Sequence, residues 1–563
     1  MKNYIFLVLT WLLSSGMTHT LFAQSNLEEV LHNLDKQLVA VTVGKEKTDP
    51  SVSSDKKSPC TVVFSIEETD AKGKTETSLY EISLSDLSSQ LLKAMTKSGN
   101  VRLVEVSTKD HQEFIKFSKN GEFKGYVDKF NLPTFDNDAA KIVIDLLKSA
   151  IEVCEKTPSA SCPKPLTFSD ATNQLKTLLS KIVINELQIE QELVFDKNVP
   201  TRAVYTTREL GKSKPTEHVH VFDFADLMDN KVLLKVADKQ LKINVFSRNG
   251  DLIQRLENGK CQSNSDDFAF LATSIEQAKC LVKTLQATIN LARDEAEKRL
   301  PVLTDLDAAL KLAADNVKNF DQCGTAYEQS LDKKCLSTFS ILTNTEGGKK
   351  SDKQTASFNF SDINTKASDI KINGNKIAVR LRINESKDYI KVVKNGILQN
   401  YESEVFIFTK TSEEAKLILH ALKKIVELCP KTAVSTCDKK GASALDCALA
   451  AVKTVKQGDE DVKQRLERLP DNDFKLRLTM ESLKGKNTEE SNYEWNMKDI
   501  DSRRIELKIN GKDVSVLLPT KNNEKIIKLN KKDKTEYLTK INIAVEDIES
   551  GRILVGILQK SLD

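Results

Sequence analysis

The chain is poor in the residues that mark several non-globular classes of protein. Of its 563 residues only 20 are glycine and 12 are proline, below the usual shares of about 7% and 5%. This composition excludes collagen-like chains and proline- or glycine-rich disordered chains. The formal net charge is only +3, from 84 basic and 81 acidic residues. The chain as a whole therefore does not attract nucleic acid or an anionic surface.

Long apolar runs are also missing, apart from one at the N-terminus. There Lys2 precedes an apolar segment over residues 4–17, which is shorter than the ~20 residues of a membrane-spanning helix. The pattern is typical of a cleavable, bacterial-type signal peptide over residues 1–24, cut near Ala23 or Gln24. We expect a periplasmic or extracellular protein with no transmembrane segment in its mature form. Its ten cysteines can then form disulfides.

What the sequence does contain is one unit that occurs four times. A basic residue at the start of an apolar helical stripe recurs at intervals of 138, 137 and 136 residues, as Lys141, Lys279, Lys416 and Arg552. An aspartate at the end of a strand keeps the same register, as Asp86, Asp226, Asp362 and Asp499. This period is a domain length, longer than the 20–50 residues of a solenoid repeat. The predicted domains are repeat 1 (25–162), repeat 2 (163–301), repeat 3 (302–437) and repeat 4 (438–563).

Repeat 3 shows the order of elements most clearly. Helical spacing predicts a helix over Leu303–Asn319, and Thr411 followed by acidic residues predicts the start of a second, amphipathic helix. Between them, alternation and the turns Asn373-Gly374 and Asn395-Gly396 indicate seven short antiparallel strands. These are Cys335–Leu342, Ala356–Phe360, Asp369–Ile372, Ile377–Ile383, Tyr389–Val393, Ile397–Tyr401 and Val405–Phe408. The predicted class is α+β, as tandem small antiparallel barrel or sheet domains, each with a helix before it and a capping helix after it.

About seven strands followed by one amphipathic helix resembles the pleckstrin-homology-like (PH-like) superfold. In that superfold seven strands form a bent, partly open barrel, and a C-terminal helix caps it. The resemblance rests on the order of the elements. A β-sandwich or another α+β unit remains an alternative.

The cysteines follow the repeats. Cys154 and Cys162 come directly after the last helix of repeat 1, and Cys429 and Cys437 have the same spacing in repeat 3, whereas repeat 2 has Ala292 at the first position. Joint presence and joint absence predict the disulfides Cys154–Cys162 and Cys429–Cys437. Two further pairings are open, because the spacing does not decide connectivity. These are Cys323 with Cys335 and Cys261 with Cys280, which leave Cys60 and Cys447 without an assigned partner.

A glycine–lysine turn is the one repeated feature with the chemistry to contact a ligand. Its lysines are Lys74, Lys212, Lys349 and Lys486. Lysines on a tight turn can bind phosphate or sulfate, and the resemblance implies that such a hairpin meets an anionic headgroup. The simpler interpretation is that glycine supplies the positive φ of the turn and lysine keeps it soluble. These four lysines are therefore candidates for anion binding.

Other signs of chemistry are isolated. His218 and His220 lie on one face of a strand, which is half of a metal site, but no third ligand is near them in the sequence. Searches for metalloprotease, nucleophile-elbow and dinucleotide-binding motifs find none. We therefore expect no metal, no cofactor and no catalytic residues.

Repetition of a whole scaffold without a repeated catalytic set favours binding over catalysis. The sequence predicts a non-enzymatic, secreted or periplasmic scaffold of the cell envelope, with envelope or extracellular proteins and glycans as partners. Four linked sites gain avidity from effective concentration. Two alternatives stay open: an envelope hydrolase with an unmarked carboxylate site, and a carrier of a small apolar ligand inside each barrel.

Overall fold

The computed structural model describes residues 27–562, apart from residues 56–57, 99–100, 158–161, 185, 212–213, 238, 346–350, 431–436, 438, 458–459, 485–486 and 532–533. The chain divides into two compact units, Met1–Lys298 and Arg299–Asp563. Repeats 1 and 2 fall in the first unit, and repeats 3 and 4 fall in the second. The predicted signal peptide lies outside the described residues.

Each repeat has a helix, nine strands and a second helix. Repeat 1 contains α1 (27–37), β1 (Val41–Val43), β2 (Glu46–Asp55), β3 (Ser58–Thr69), β4 (Thr75–Ser83), β5 (Lys93–Ser98), β6 (Val101–Ser107), β7 (Ile115–Lys119), β8 (Glu122–Val127), β9 (Lys129–Thr134) and α2 (Asn137–Lys156). Repeat 2 contains α3 (Phe168–Leu178), β10 (Ile182–Ile184), β11 (Leu187–Phe195), β12 (Arg202–Leu210), β13 (Thr216–Asp223), β14 (Leu233–Ala237), β15 (Gln240–Phe246), β16 (Gln254–Glu257), β17 (Lys260–Cys261), β18 (Asp267–Ala272) and α4 (Ile275–Lys298).

The second unit repeats the same series. Repeat 3 contains α5 (Leu306–Asp315), β19 (Phe320–Gln322), β20 (Thr325–Leu331), β21 (Leu336–Thr345), β22 (Ser351–Asn359), β23 (Asp369–Asn373), β24 (Lys376–Arg382), β25 (Lys391–Lys394), β26 (Ile397–Leu398), β27 (Glu404–Thr409) and α6 (Ser412–Leu428). Repeat 4 contains α7 (Ala442–Ala451), β28 (Val455–Gln457), β29 (Glu460–Arg468), β30 (Lys475–Lys484), β31 (Asn487–Asn496), β32 (Glu506–Asn510), β33 (Asp513–Pro519), β34 (Ile527–Lys531), β35 (Lys534–Leu538), β36 (Lys540–Val545) and α8 (Ile548–Lys560).

The strands of every repeat form one six-stranded and one three-stranded antiparallel sheet. In repeat 1 the orders are β1-β2-β3-β4-β7-β8 and β5-β6-β9, and the corresponding strands follow the same orders in the other three repeats. The predicted α+β class and the fourfold tandem repeat are confirmed. The second helix of each repeat packs its apolar stripe against the core between the sheets.

In repeat 3 all seven predicted strands are present, and the predicted first helix is α5. The two additional strands, β19 and β20, form a hairpin directly after α5, and its turn holds Cys323 and Gly324 at positive φ. The buried side chains of β20 are Tyr327, Gln329 and Leu331. A glutamine in the middle of this inward face hides the apolar alternation that marks a strand.

Gln329 has a structural role that explains why a polar side chain is buried there. Its Nε2 donates to the carbonyl oxygens of Lys318 at 2.9 Å and of Phe408 at 2.6 Å. The glutamine thereby ties the loop after α5 to the last strand of the three-stranded sheet. Gln191 and Gln464 make the same pair of contacts in repeats 2 and 4. Buried polar groups persist when they are hydrogen-bonded in this way.

The predicted turn Asn395-Gly396 is confirmed, and repeats 1 and 2 have the same turn at Asn120-Gly121 and Asn258-Gly259. Asn120, Asn258 and Asn395 have φ of 50°, 48° and 51°, a region that asparagine tolerates better than most residues. Each side-chain oxygen also accepts a hydrogen bond from a backbone N–H of the adjacent strand at 2.8–2.9 Å. The turn therefore joins the hairpin to its neighbouring strand.

All ten cysteines are oxidised, but the predicted pairings are wrong. The bonds are Cys60–Cys154, Cys162–Cys280, Cys335–Cys429 and Cys437–Cys447. Neither Cys154–Cys162 nor Cys429–Cys437 forms. Cys323 does not pair with Cys335, and Cys261 does not pair with Cys280, because Cys335 and Cys280 have other partners. Cys261 and Cys323 are disulfide-bonded as well.

The physical reason for the different pairing is the direction of Cys154. It lies on the buried stripe of α2, and this stripe faces the core cluster against which Cys60 of β3 packs. The two Cα atoms are 5.7 Å apart, which suits a disulfide. Cys335, directly before β21, and Cys429, directly after α6, form the corresponding bond with the same sequence separation of 94 residues.

Candidate functional site

The glycine–lysine turns are described in part. Lys212, Lys349 and Lys486 lie outside the described residues, so their predicted anion binding stays a prediction. In the turn of repeat 1, Gly73 has a φ of 83°, and the Asp70 Oδ1 atom accepts hydrogen bonds from the backbone N–H groups of Lys72 and Lys74 at 2.8 and 2.9 Å. The positive φ of Gly73 and these two hydrogen bonds account for the conformation of the turn.

The charge of Lys74 is compensated within the protein. Its Nζ atom lies 2.7 Å from Glu76, which also pairs with Lys119 at 2.6 Å. Lys119 and Lys74 together lower the pKa of Glu76 to about 2. An anion at Lys74 would therefore compete with a carboxylate that is already in contact with the ammonium group.

The four recurring aspartates all end a single 3-10 turn that follows a strand. The turns are Leu84–Asp86, Phe224–Asp226, Phe360–Asp362 and Met497–Asp499. Asp86 lies at the contact between repeats 1 and 2, and Asp362 lies at the contact between repeats 3 and 4. In both cases the partner is the basic residue that recurs on the second helix of the following repeat.

In the first unit this contact joins Asp86 of repeat 1 to Lys279 of repeat 2. The Lys279 Nζ atom donates to Asp86 and lies 5.6 Å from the ring centre of Phe114. Asp86 is buried, and its Oδ2 atom has no hydrogen-bond partner within the described part of the chain. Lys279 therefore pairs with one of the two oxygen atoms of the buried Asp86 carboxylate and also lies close to the Phe114 ring.

In the second unit Arg552 of repeat 4 replaces the lysine. Its guanidinium group lies 2.5 Å from Asp362 and 2.9 Å from Glu549, and its Cζ atom is 5.3 Å from the ring centre of Tyr389. Burial raises the pKa of Asp362, while Arg552 opposes that shift. The fork of the guanidinium group suits simultaneous contact with two carboxylates.

We name these two contacts the paired-repeat clamps: Asp86, Phe114 and Lys279 in the first unit, and Asp362, Tyr389 and Arg552 in the second. Sequence reasoning found the aspartates and the basic residues as separate markers of one period. It missed that each aspartate meets the basic residue of the next repeat. The signal available was that both markers are charged and recur in register.

The first clamp lies beside a closely packed junction. A cavity of only about 30 Å³ remains between the two repeats, lined on one side by Glu81, Lys116 and Tyr126 and on the other by Thr273 and Glu276. Burial raises the pKa of Tyr126 to about 12. A space of this size holds about one water molecule, so the geometry of the junction favours fixed packing over ligand binding.

The histidine pair has unequal surroundings. His220 stacks on Phe268, with ring centres 5.0 Å apart, and burial lowers its pKa to about 4. His218 lies two residues away on the same strand. Within the described residues there is no cluster of three or more histidine, cysteine, aspartate or glutamate side chains arranged to hold a metal ion. His220 is best explained as a neutral core side chain.

Repeat 3 contains a groove of about 310 Å³. It opens between the two sheets of that repeat. We call it the repeat 3 groove and define it by its lining residues, which are Thr325, Tyr327, Ile341, Thr343, Thr345, Asp352, Gln354, Lys376, Lys394 and Phe408. Hydroxyl groups, aromatic rings and both signs of charge meet there.

Comparisons with protein-family models, curated proteins and solved structures found no match for this chain. None of the helices in the described part of the chain has the length and apolar character needed to cross a bilayer. The paired-repeat clamps and the repeat 3 groove are therefore the structural features that bear on the function of the chain.

Proposed function

We propose that the chain is a non-enzymatic scaffold of the bacterial cell envelope that presents four related binding modules. The observation that supports this most directly is the recurrence of the clamp. Asp86 with Lys279 and Asp362 with Arg552 use the same positions of the repeat to hold two modules together. An ion pair with a largely buried carboxylate at each of these two junctions fixes the spacing of the two modules that it joins, and a fixed spacing favours simultaneous binding by several modules.

The modules are proposed to be variants of the PH-like superfold. Each repeat has antiparallel strands in a six-stranded and a three-stranded sheet, followed by a helix, and this order supports a relation to the partly open, helix-capped barrel of that superfold. The hairpin β1–β2 and the helix before it add to the seven-stranded pattern. Such scaffolds support many unrelated binding functions, so the site on each module decides its partner.

The compartment is proposed to be the periplasm or the extracellular space. Ten oxidised cysteines indicate an oxidising environment, and the N-terminal sequence has the pattern of a secretion signal. Envelope proteins and glycans are then the partners that the modules meet.

Retention on isolated cell envelopes tests this proposal. The intact chain, a chain of residues 25–298 and a single repeat are immobilised at equal numbers of repeats, after circular dichroism has confirmed that each is folded. Linked modules should slow dissociation from the envelope by at least about tenfold, because rebinding is intramolecular. Equal dissociation of the single repeat and the intact chain would contradict a multivalent scaffold, and release of soluble envelope fragments would indicate a hydrolase.

A further inference from the structure

The repeat 3 groove differs from the corresponding positions of the other repeats in its aromatic side chains. In the first hairpin Phe320 pairs with Tyr327, and their rings stack with centres 4.6 Å apart. Phe408 of the last strand lies 5.4 Å from the ring centre of Tyr327. The corresponding hairpin pairs are Val41–Thr48, Ile182–Ile189 and Val455–Val462.

The last strand shows the same contrast. By strand register, the residues that correspond to Phe408 are Pro133, Leu271 and Ala544. The scaffold folds with aliphatic or small residues at these positions, so the aromatic group is not needed to build the barrel. It gives the groove of repeat 3 a flat apolar wall that the corresponding residues of the other repeats do not provide.

The wall formed by the six-stranded sheet carries hydrogen-bonding groups. Thr325, Thr343 and Gln354 offer hydroxyl and amide groups to the groove, and each hydroxyl can both donate and accept. A ligand that fits both walls has a ring with one apolar face and several hydroxyl groups at its edge. That description matches a sugar ring.

The rim adds charge. Lys376 and Lys394 face a single carboxylate, Asp352, which lies 3.9 Å from Lys394. Lys376 has no ion-pair partner within the described residues. The rim therefore has an excess of positive charge, which favours a ligand with an acidic group. The volume of about 310 Å³ is at the lower end of the range of about 300–1,000 Å³ for ligand pockets, so the groove suits a single ring.

We propose that the repeat 3 groove binds an acidic monosaccharide unit such as a uronic acid, either free or at the end of a glycan. The acid is held by Lys376, the hydroxyl groups by the threonines and Gln354, and the apolar face of the ring by Phe408. This site deepens the proposed envelope binding but does not depend on multivalency. A failed retention experiment and a failed groove experiment can therefore be told apart.

The test uses the full-length protein with D-glucuronate as the probe, followed by saturation-transfer NMR and calorimetry. Glucuronate should bind at least about tenfold more tightly than D-glucose, which lacks the acid, and than acetate, which lacks the ring. Equal binding of glucose would overturn the role of the acid. Equal binding of acetate would show a simple anion site, and no saturation transfer at millimolar concentration would overturn the site itself.

Variants locate the binding. Lys376→Gln should weaken glucuronate about tenfold, because a charge-assisted contact is lost. Phe408→Leu introduces the residue that repeat 2 has at this position, and should weaken glucuronate and glucose by a similar factor. The control is Lys371→Gln, an exposed lysine on β23 that pairs with Asp369. Unchanged binding in the first two variants, or an equal loss in the control, would overturn the assignment.

Discussion

The two paired-repeat clamps occupy the same positions and use different chemistry. Lys279 contacts Asp86 alone and leaves one carboxylate oxygen without a partner within the described residues. Arg552 contacts Asp362 and also Glu549 of its own helix. The lysine side chain is 36% exposed and the arginine 16%. The same junction therefore accommodates either a partly solvated lysine ammonium group or a more buried arginine guanidinium group. The second unit has the arginine, which makes the stronger ion pair.

The largest expected difference between the units concerns their linker cysteines. Cys162 and Cys437 have the same spacing from Cys154 and Cys429, but their bonds enclose sequence separations of 118 and 10 residues. By loop entropy, replacing Cys162 and Cys280 with serine should cost about 5 kcal/mol, and replacing Cys437 and Cys447 about 3 kcal/mol. Calorimetry of both double variants measures the difference. A larger loss for the shorter loop would contradict the entropic account.

Acid should separate the units next. The pKa of His220 is about 4, lowered first by burial and then by Arg255 and His218, while the unfolded value is about 6.5. The native state therefore favours the neutral ring, and its contribution is complete above pH 6.5 and declines as the pH falls towards 4, by up to about 3 kcal/mol. Strand register places Ala356 at the corresponding position of repeat 3.

We therefore expect hydrogen exchange to show loss of protection in repeat 2 between pH 6.5 and 4, ahead of repeat 3. His220→Phe should flatten the pH dependence in repeat 2. His218→Phe, on the same strand, is the matched control and should leave most of it. Equal acid sensitivity of the wild type and the His220 variant would remove the explanation.

Removing the arginine should weaken the second unit. Arg552→Ala leaves Asp362 with most of its surface buried and without its hydrogen-bonded cation, so that only the charge of Lys387 still favours the carboxylate, and we expect a loss of about 2–3 kcal/mol, slightly below the cost for a fully buried pair. Urea unfolding followed by hydrogen exchange in repeats 3 and 4 measures the change. Because the pKa of Asp362 is already raised by burial, the loss should become smaller as the pH falls and the carboxyl group takes up a proton.

Removing the lysine should have the smallest effect. Lys279→Ala should cost about 1 kcal/mol, because the side chain is partly solvated and makes one charged contact. The control for both variants is Lys141→Ala, at the corresponding position of repeat 1, where the side chain is exposed and pairs with Asp138. Its effect should stay within about 0.5 kcal/mol. An equal loss in the free energy of unfolding for Lys279→Ala and Arg552→Ala would show that the guanidinium group adds nothing to the stability of the junction.

Local sequence patterns predict most of the fold. The seven strands of repeat 3 and its Asn-Gly turns follow from alternation and from the backbone tolerance of asparagine, both of which are properties of neighbouring residues. The hairpin β19–β20 was missed because Gln329 is buried by hydrogen bonds to Lys318 and Phe408. A partner 79 residues away in the sequence leaves no local trace.

The candidate sites depend even more on contacts between residues that are far apart in the sequence. The spacing of Cys154 and Cys162 predicts a pair, but the helical stripe directs Cys154 towards the strand that holds Cys60. The clamp required matching an aspartate of one repeat with a basic residue of the next. In the repeat 3 groove, Tyr327 of the six-stranded sheet contacts Phe408 of the three-stranded sheet, and a contact between two sheets leaves no local pattern in the sequence.

The strand-to-helix disulfide has a consequence for the history of the chain. It is present in repeats 1 and 3, as Cys60–Cys154 and Cys335–Cys429, whereas β12 and β30, the corresponding strands of repeats 2 and 4, hold no cysteine. A feature that alternates with every second copy is the expected record of an ancestral segment of two repeats that was duplicated once. The unit of inheritance is then the pair, and a chain of this kind would lengthen by two repeats at a time.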